Sequence, residues 1–192
     1  MTTPHKIRII GGEHRSRQIE VIDAEGLRPT SSRMRETLFN WLQFDVMGHS
    51  CLDLFAGSGA LGIEALSRGA GHVTFIEKNP TAYRTLLKNI ESLKIKPERY
   101  TVILGDALSY IESLPEESQF DLLFIDPPFH GELYDALLQK IGAHHGLMEA
   151  LVISLEIPRG KALNDTALLT HFERKKSAKT KESELYLYRL LE

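Results

Sequence analysis

The sequence predicts an α/β fold built on a seven-stranded, mostly parallel sheet, and three observations predict it. Short apolar runs rich in β-branched and aromatic residues alternate with segments of helical period, as in a parallel sheet covered by helices. A Gly-x-Gly-x-x-Gly string, Gly57 to Gly62, falls where one such run gives way to a helix. After the fifth run the alternation stops and two strand-like stretches follow each other, an antiparallel hairpin closing one sheet edge. With 192 residues, 42% of them hydrophobic and 26% charged, the chain can bury one sizeable core. The expectation is a single domain over residues 1–192, with residues 1–45 an N-terminal hairpin-plus-helix extension and residues 46–192 the core.

Taken in order, Lys6–Ile10 and Arg17–Ile22 read as a small hairpin around Gly11-Gly12. A helix follows from Ser32 to Phe44, capped by Ser31 or Ser32. Its Met34, Leu38 and Trp41 or Leu42 recur at helical spacing and belong to the core. The parallel strands are expected at Cys51–Phe55, His72–Glu77, Tyr100–Leu104, Phe120–Ile125 and Leu151–Leu155. Helices opening at Gly59, Pro80, Ala107 and Tyr134, and running to Arg68, Leu93, Leu114 and Ile141, supply the crossovers that parallel pairing requires. Leu168–Lys175 and Glu184–Leu191 are the closing hairpin, joined by a lysine-rich turn. No repeat, low-complexity tract or long linker interrupts the chain.

Composition narrows the function classes. The single cysteine, Cys51, excludes an intrachain disulfide and any multi-cysteine metal site, and reads as a small buried apolar residue. No apolar run has the length of a membrane span, and Met1–Ile10 lacks the core of a signal peptide, so a cytoplasmic protein is expected. The net charge of −3 is unevenly spread, at +1 over residues 1–50, −6 over 51–170 and +2 over 171–192. Two basic ends around an acidic middle permit a basic face, though ordinary solvated surface explains them as well.

Chemistry concentrates where strands end. The Gly57-Ser58-Gly59 turn lets a ligand approach backbone above a helix N-terminus, as a Rossmann dehydrogenase does with pyrophosphate. Asp53, four residues before Gly57, would repel a pyrophosphate but suits a ligand carrying an ammonium group. Glu77 ends the next strand, where its carboxylate can accept both hydroxyls of a ribose. Gly105-Asp106-Ala107 ends the third, and Asp106 can take a hydrogen bond from an adenine amine as well as cap its helix. Three acids converging on one crevice are what S-adenosylmethionine binding needs.

Asp126-Pro127-Pro128-Phe129 follows the fourth strand. Two prolines fix φ and remove two donors, which leaves the carbonyls of a rigid loop free to accept. Asp126 and a proline-region carbonyl can hold the two hydrogens of a planar NH2 group, and Phe129 can stack on an extruded base.

On these motifs, the sequence resembles the DPPF/NPPY-type class I methyltransferases, which have a Rossmann-like fold. Within them it resembles the bacterial small-subunit (16S) ribosomal RNA guanine-N2 methyltransferases. The resemblance covers nearly the whole chain, through Arg8-Ile9-Ile10-Gly11-Gly12, Leu27-Arg28-Pro29-Thr30, Arg33, Arg35 to Leu42, Asp53 to Gly62 and Asp126 to Phe129. It implies methyl transfer from S-adenosylmethionine to a guanine N2 amine, on small-subunit ribosomal RNA or the assembled subunit. Asp53, Phe55, Gly57, Gly59, Glu77, Lys78, Asp106 and Ala107 would bind the cofactor, and Asp126, Pro127, Pro128 and Phe129 the target amine. The lysine-rich Lys175–Lys181 stretch, which has no glycine, departs from the family pattern.

Read physically, Arg8, Arg15, Arg17, Arg28, Arg33 and Arg35 can serve RNA phosphates. Arg35 and Glu36 are expected on the helix surface or facing the site, and His14 in an exposed loop. His144 and His145 have no ligands at metal spacing, and methyl transfer needs no metal. A monomer is the expected state. The same acceptor loop would also serve adenine N6, cytosine N4 or a protein glutamine amide, and only the N-terminal strings argue against those substrates.

Overall fold

The computed structural model describes residues 5–22, 31–128 and 133–192, so Arg28 and Phe129 lie outside the described residues. The N-terminal hairpin is β1 (His5–Arg8) and β2 (Gln18–Val21), and α1 (Ser32–Trp41) follows it. The core runs β3 (Ser50–Asp53), α2 (Ala60–Ser67), β4 (His72–Glu77), α3 (Pro80–Ser92), β5 (Tyr100–Leu104), α4 (Ala107–Ser113), β6 (Leu122–Ile125), α5 (Leu133–Ala143), β7 (Val152–Pro158), β8 (Phe172–Lys179) and β9 (Ser183–Leu190). The large sheet has seven strands in the order β5-β4-β3-β6-β7-β9-β8. Parallel pairing sets Cys51 opposite both Val73 and Leu122, and Leu122 opposite Val152. Only β9 runs against the rest; it pairs antiparallel with β7 on one side and with β8 on the other, so β8 points the same way as the parallel strands.

Alternating side chains divide each central strand between two cores. Cys51, Val73, Phe75, Leu122 and Phe124 face one side, packed under Leu38 and Phe39 of α1, Ile63 and Leu66 of α2, and Leu86 and Ile90 of α3. Leu52, Ile76, Leu123, Ile125 and Ile153 face the other, under Ile111 of α4 and Leu137, Leu138 and Ile141 of α5. Burial on both faces explains why these strands read as continuous apolar runs. Each fully buried Leu, Ile or Phe contributes roughly 1.5–3 kcal/mol. Cys51 is part of this core, as its apolar reading requires.

Three features differ from the sequence reading. The first helix ends at Trp41 rather than Phe44: Phe44 is 88% exposed, while Leu42 takes the last turn into the core. The stretch expected to begin a strand at Leu168 is a 3-10 turn, and the strand starts at Phe172. The lysine-rich segment expected to be a turn is mostly β8 itself, with the turn confined to residues 180–182. Its paired register shifts between Arg174 and Lys176, so Lys175 is bulged out. An edge strand open to water tolerates charge on both faces, and this removes the alternation by which strands are recognised.

The N-terminal extension is fastened by buried polar groups. Glu64 of α2 is 1% exposed; its two carboxylate oxygens accept from the Ile10 and Gly11 amides at 2.8 and 2.9 Å, and Arg68 Nε donates to it at 2.8 Å. Arg35, also 1% exposed, donates from Nη2 to the Arg8 carbonyl at 2.6 Å, with its Nε 4.0 Å from Glu64. The expectation of an exposed or site-facing Arg35 is therefore corrected: its guanidinium is buried between the arm and α2. His14 is buried as well rather than exposed, its amide bonded to Ser67 Oγ. At Gly12 (φ 77°) a β-carbon would meet the Ser67 carbonyl at 1.8 Å, so the arm turn and the end of α2 touch backbone to backbone. Asn89 of α3 completes the clamp by accepting from the Glu20 amide and donating to the Glu20 and Ser58 carbonyls.

Candidate functional site

Parallel strands deliver their C-terminal ends to one rim, so Asp53, Glu77, Gly105 and Asp126 arrive together. A cleft opens on this rim, enclosing about 730 Å³ of atom-free space including its open mouth. Phe55, Ile76, Glu77, Asp106, Leu108 and Pro128 are among its walls, and Lys78 and Ala107 also line it. Apolar walls with a few directed polar groups suit a nucleoside.

Glu77 is the organising carboxylate. It is buried at 5% exposure and accepts from the Gly57 amide at 2.6 Å with Oε2 and from the Asn79 amide at 2.6 Å with Oε1. The strand end is thereby tied to the glycine turn on one side and to the start of α3 on the other, where Asn79 caps the helix ahead of Pro80. Each oxygen keeps a second lone pair for a hydroxyl. Asp106 caps α4, with Oδ1 accepting from the Leu108 and Ser109 amides at 3.0 and 3.2 Å. Its Oδ2 lies 4.0 Å from Lys78 Nζ. Capping thus leaves one carboxylate oxygen for the cleft.

Asp53, Gly57 and Gly59 do not line the cleft itself but form the turn behind it. Gly59 caps α2, where a β-carbon would come within 2.4 Å of Leu86 Cδ1, so its place is set by packing. Gly57 (φ 56°) faces open space, the position where backbone can be approached closely. Asp53 is 1% exposed; Oδ2 accepts from the Gly62 amide at 3.1 Å, while the buried Oδ1 has no hydrogen-bond partner. Burial pushes its pKa from 3.8 to about 7, opposed by the Gly62 and Phe55 amides and reinforced by the Glu77 charge. A buried carboxylate with an unmatched oxygen beside an open turn fits a ligand ammonium.

The acceptor loop leaves β6 at Ile125, with Asp126 half-buried and Pro127 buried. Sequence reasoning missed its neighbour Tyr134 as a site residue, reading it only as a helix start. Tyr134 is fully buried, and its hydroxyl donates to the Pro127 carbonyl at 3.5 Å. Burial raises the hydroxyl pKa, with the charges of Asp126 and Glu156 adding to the shift, so it remains a donor. The signal available was a tyrosine in the first turn of the helix that follows the two prolines.

Among the described arm arginines, Arg15 and Arg17 do not reach this rim. Arg17 donates from Nη2 to the Ser92 carbonyl at 2.7 Å, at the C-terminal end of α3. Arg15 lies in the turn whose Glu13 amide bonds the Ser67 carbonyl at the end of α2. Both helices run away from the cleft, so Arg15 and Arg17 sit at the opposite end of the sheet. Arg8 and Arg33 are exposed, on β1 and on the first turn of α1. His144 is a core residue: Nε2 lies 3.2 Å from the Leu114 carbonyl and Nδ1 accepts from the Leu147 amide.

A sheet of this order, with its last strand inserted antiparallel between β7 and β8 and a nucleoside-sized cleft at the parallel strand ends, has the Rossmann-like fold of the class I methyltransferases. The solved structure of the Escherichia coli protein yhhF superposes with a TM-score of 0.84 at 35% identity, covering 97% of this chain and 98% of that one. The chain belongs to the family described as conserved hypothetical protein 95, whose model matches residues 7–189. Among curated relatives, the Ribosomal RNA small subunit methyltransferase D of Haemophilus influenzae is 41% identical over 158 residues, 82% of each chain. The protein of the same name from Escherichia coli K12 is 41% identical over 151 residues, 79% of this chain and 74% of that one.

Proposed function

We propose that this protein transfers a methyl group from S-adenosylmethionine to the N2 amine of a guanine in small-subunit ribosomal RNA. The observation that carries the reading is the Asp126-Pro127-Pro128 loop, standing beside a cleft whose acids and apolar walls fit the donor. The relatives named as small-subunit ribosomal RNA methyltransferases support the substrate class. Glu77 would hold the ribose hydroxyls, Asp106 the adenine amine and Asp53 the ammonium, with Phe55 and Leu108 against the ring. Bound S-adenosylmethionine supplies a methyl group on a sulfonium, already a good leaving group.

The chain's own residues then have to orient the acceptor. Asp126 and the Pro127 carbonyl each accept one hydrogen of the guanine N2, which keeps the nitrogen lone pair directed along the line of attack. Methyl transfer would make the amine nitrogen more acidic, and the Asp126 carboxylate would take up the proton it releases. Phe129 next in sequence would stack on the extruded base.

Labelled methyl transfer to unmodified small ribosomal subunits and to their naked RNA, followed by nucleoside analysis, tests this reading. N2-methylguanosine on the RNA is the expected product. Methyl adenine, methyl cytosine or a methylated protein amide would redirect the assignment, and no transfer despite donor binding would overturn it. Asp126→Ala is expected to lower kcat by about 100-fold or more, a general acid–base contribution, while donor affinity stays unchanged.

A further inference from the structure

The donor residues Asp53, Glu77 and Asp106 occupy the β3–β4–β5 half of the rim. A base entering the Asp126 loop must therefore come from the β6–β7–β9 half. The register shows what stands there. β7 runs parallel to β6 and leaves the sheet at Pro158; antiparallel pairing sets Ser183 opposite Pro158 and Lys179 opposite Glu184. The β8–β9 turn is thereby returned to the cleft end of the molecule, next to the loop that follows β7.

These two segments carry Arg159, Lys161, Lys179 and Lys181. Arg159 fastens them together, its Nη1 donating to the Thr180 carbonyl at 2.6 Å and its amide to the Glu182 carbonyl at 2.8 Å. Lys161 Nζ lies 5.2 Å from the centre of the Tyr134 ring, and the hydroxyl of that ring is the donor to the Pro127 carbonyl. One aromatic ring thus separates this cation from the acceptor loop. Lys179 pairs with Glu184 at 3.1 Å but keeps 55% of its side chain exposed, and Lys181 is exposed. The acids facing the group are exposed Glu182 and buried Glu184 and Glu156.

We propose that the loop after β7 and the β8–β9 turn form a phosphate-contacting rim, over which the RNA strand flanking the target base runs on its way into the cleft. The proposal rests on the reading of the protein as an RNA methyltransferase. A polyanion is the occupant that a cation-bearing rim favours in a chain of net charge −3. A base held by Asp126 also brings its own flanking phosphates to this side.

The test compares wild type with Lys161→Gln/Lys179→Gln/Lys181→Gln, with the same three sites changed to arginine, and with Lys96→Gln, an exposed lysine ahead of β5 at the far end of the sheet. RNA affinity is measured against salt, with S-adenosylmethionine affinity and circular dichroism recorded for each variant. The triple glutamine variant is expected to bind RNA about 10-fold or more weakly and to lose about 2 from the slope of log affinity against log salt, near 0.7 per phosphate on a single strand. Arginine is expected to restore both, and Lys96→Gln to change neither. If wild type methylates RNA while the glutamine variant matches it in affinity and slope, the rim proposal falls alone, as it does if the rim proves to capture an acidic protein instead. If wild type methylates no RNA, the underlying reading falls and takes the rim with it.

Discussion

Asp53 sits behind the glycine turn with one oxygen on the Gly62 amide and the other unmatched, and burial has moved its pKa to about 7. Burial favours its protonated form, whereas the ammonium proposed to bind there would favour the ionised form, so binding below pH 7 would expel a proton. Donor affinity is therefore expected to rise with pH up to about 7, and to fall again once the ligand's own α-amino group, with a pKa of about 8, loses its charge. Asp53→Asn keeps an acceptor for Gly62 but should bind donor about 10- to 100-fold more weakly, a charge-assisted hydrogen bond being worth roughly 1.5–3 kcal/mol. It should also lose the rising limb. Calorimetric titration across this range checks both, and a wild-type affinity that is flat below pH 7 would contradict the assignment. At this scale the positions of Asp53, Glu77 and Asp106 at the ends of successive strands were legible, because an acid closing an apolar run marks where the strand stops. Arg35 was opaque, since its partner Glu64 lies on another helix and nothing local marks either as buried.

Among the elements, the arm and α2 depend on one carboxylate. Glu64 satisfies two arm amides and sits against Arg68 and Arg35. Glu64→Gln would leave the buried Arg35 guanidinium, and half-buried Arg68 beside it, without their counter-charge, a change that costs about 3–5 kcal/mol. A fall in Tm of roughly 6 °C or more is expected from calorimetry, with hydrogen exchange of the Ile10 and Gly11 amides speeding most. An unchanged Tm would mean that the arm is held by its apolar contacts alone. The central strands were legible from sequence because burial on both faces writes a continuous apolar run. The second half of β8 was not, because an edge strand meeting water on both faces carries no such record, and Lys176 to Lys179 read as part of the turn. The end of α1 was misplaced for a related reason: helical spacing continues through Phe44, but that ring stays 88% exposed rather than packing into the core.

For the whole molecule, the two ends of the sheet divide the work. One end gathers the strand-terminal acids, the acceptor loop and the rim cations; the other holds the arm turn against the ends of α2 and α3. Donor binding to the folded state alone should stabilise the protein by about 2.7 kcal/mol at a hundredfold excess over Kd, a rise in Tm of roughly 5–10 °C. Thermal denaturation with and without S-adenosylmethionine measures it, and an absent shift would count against the cleft as its site.

The bulge at Lys175 bears on a hazard unrelated to the chemistry. An open sheet is a template for its own extension, since each unpaired backbone edge invites one more strand. On one side β5 offers only five residues. On the other, β8 breaks its spacing at the bulge and carries four cations, Arg174, Lys175, Lys176 and Lys179, in eight residues, so a second copy arriving edge-on would meet misaligned amides and its own repelling charge.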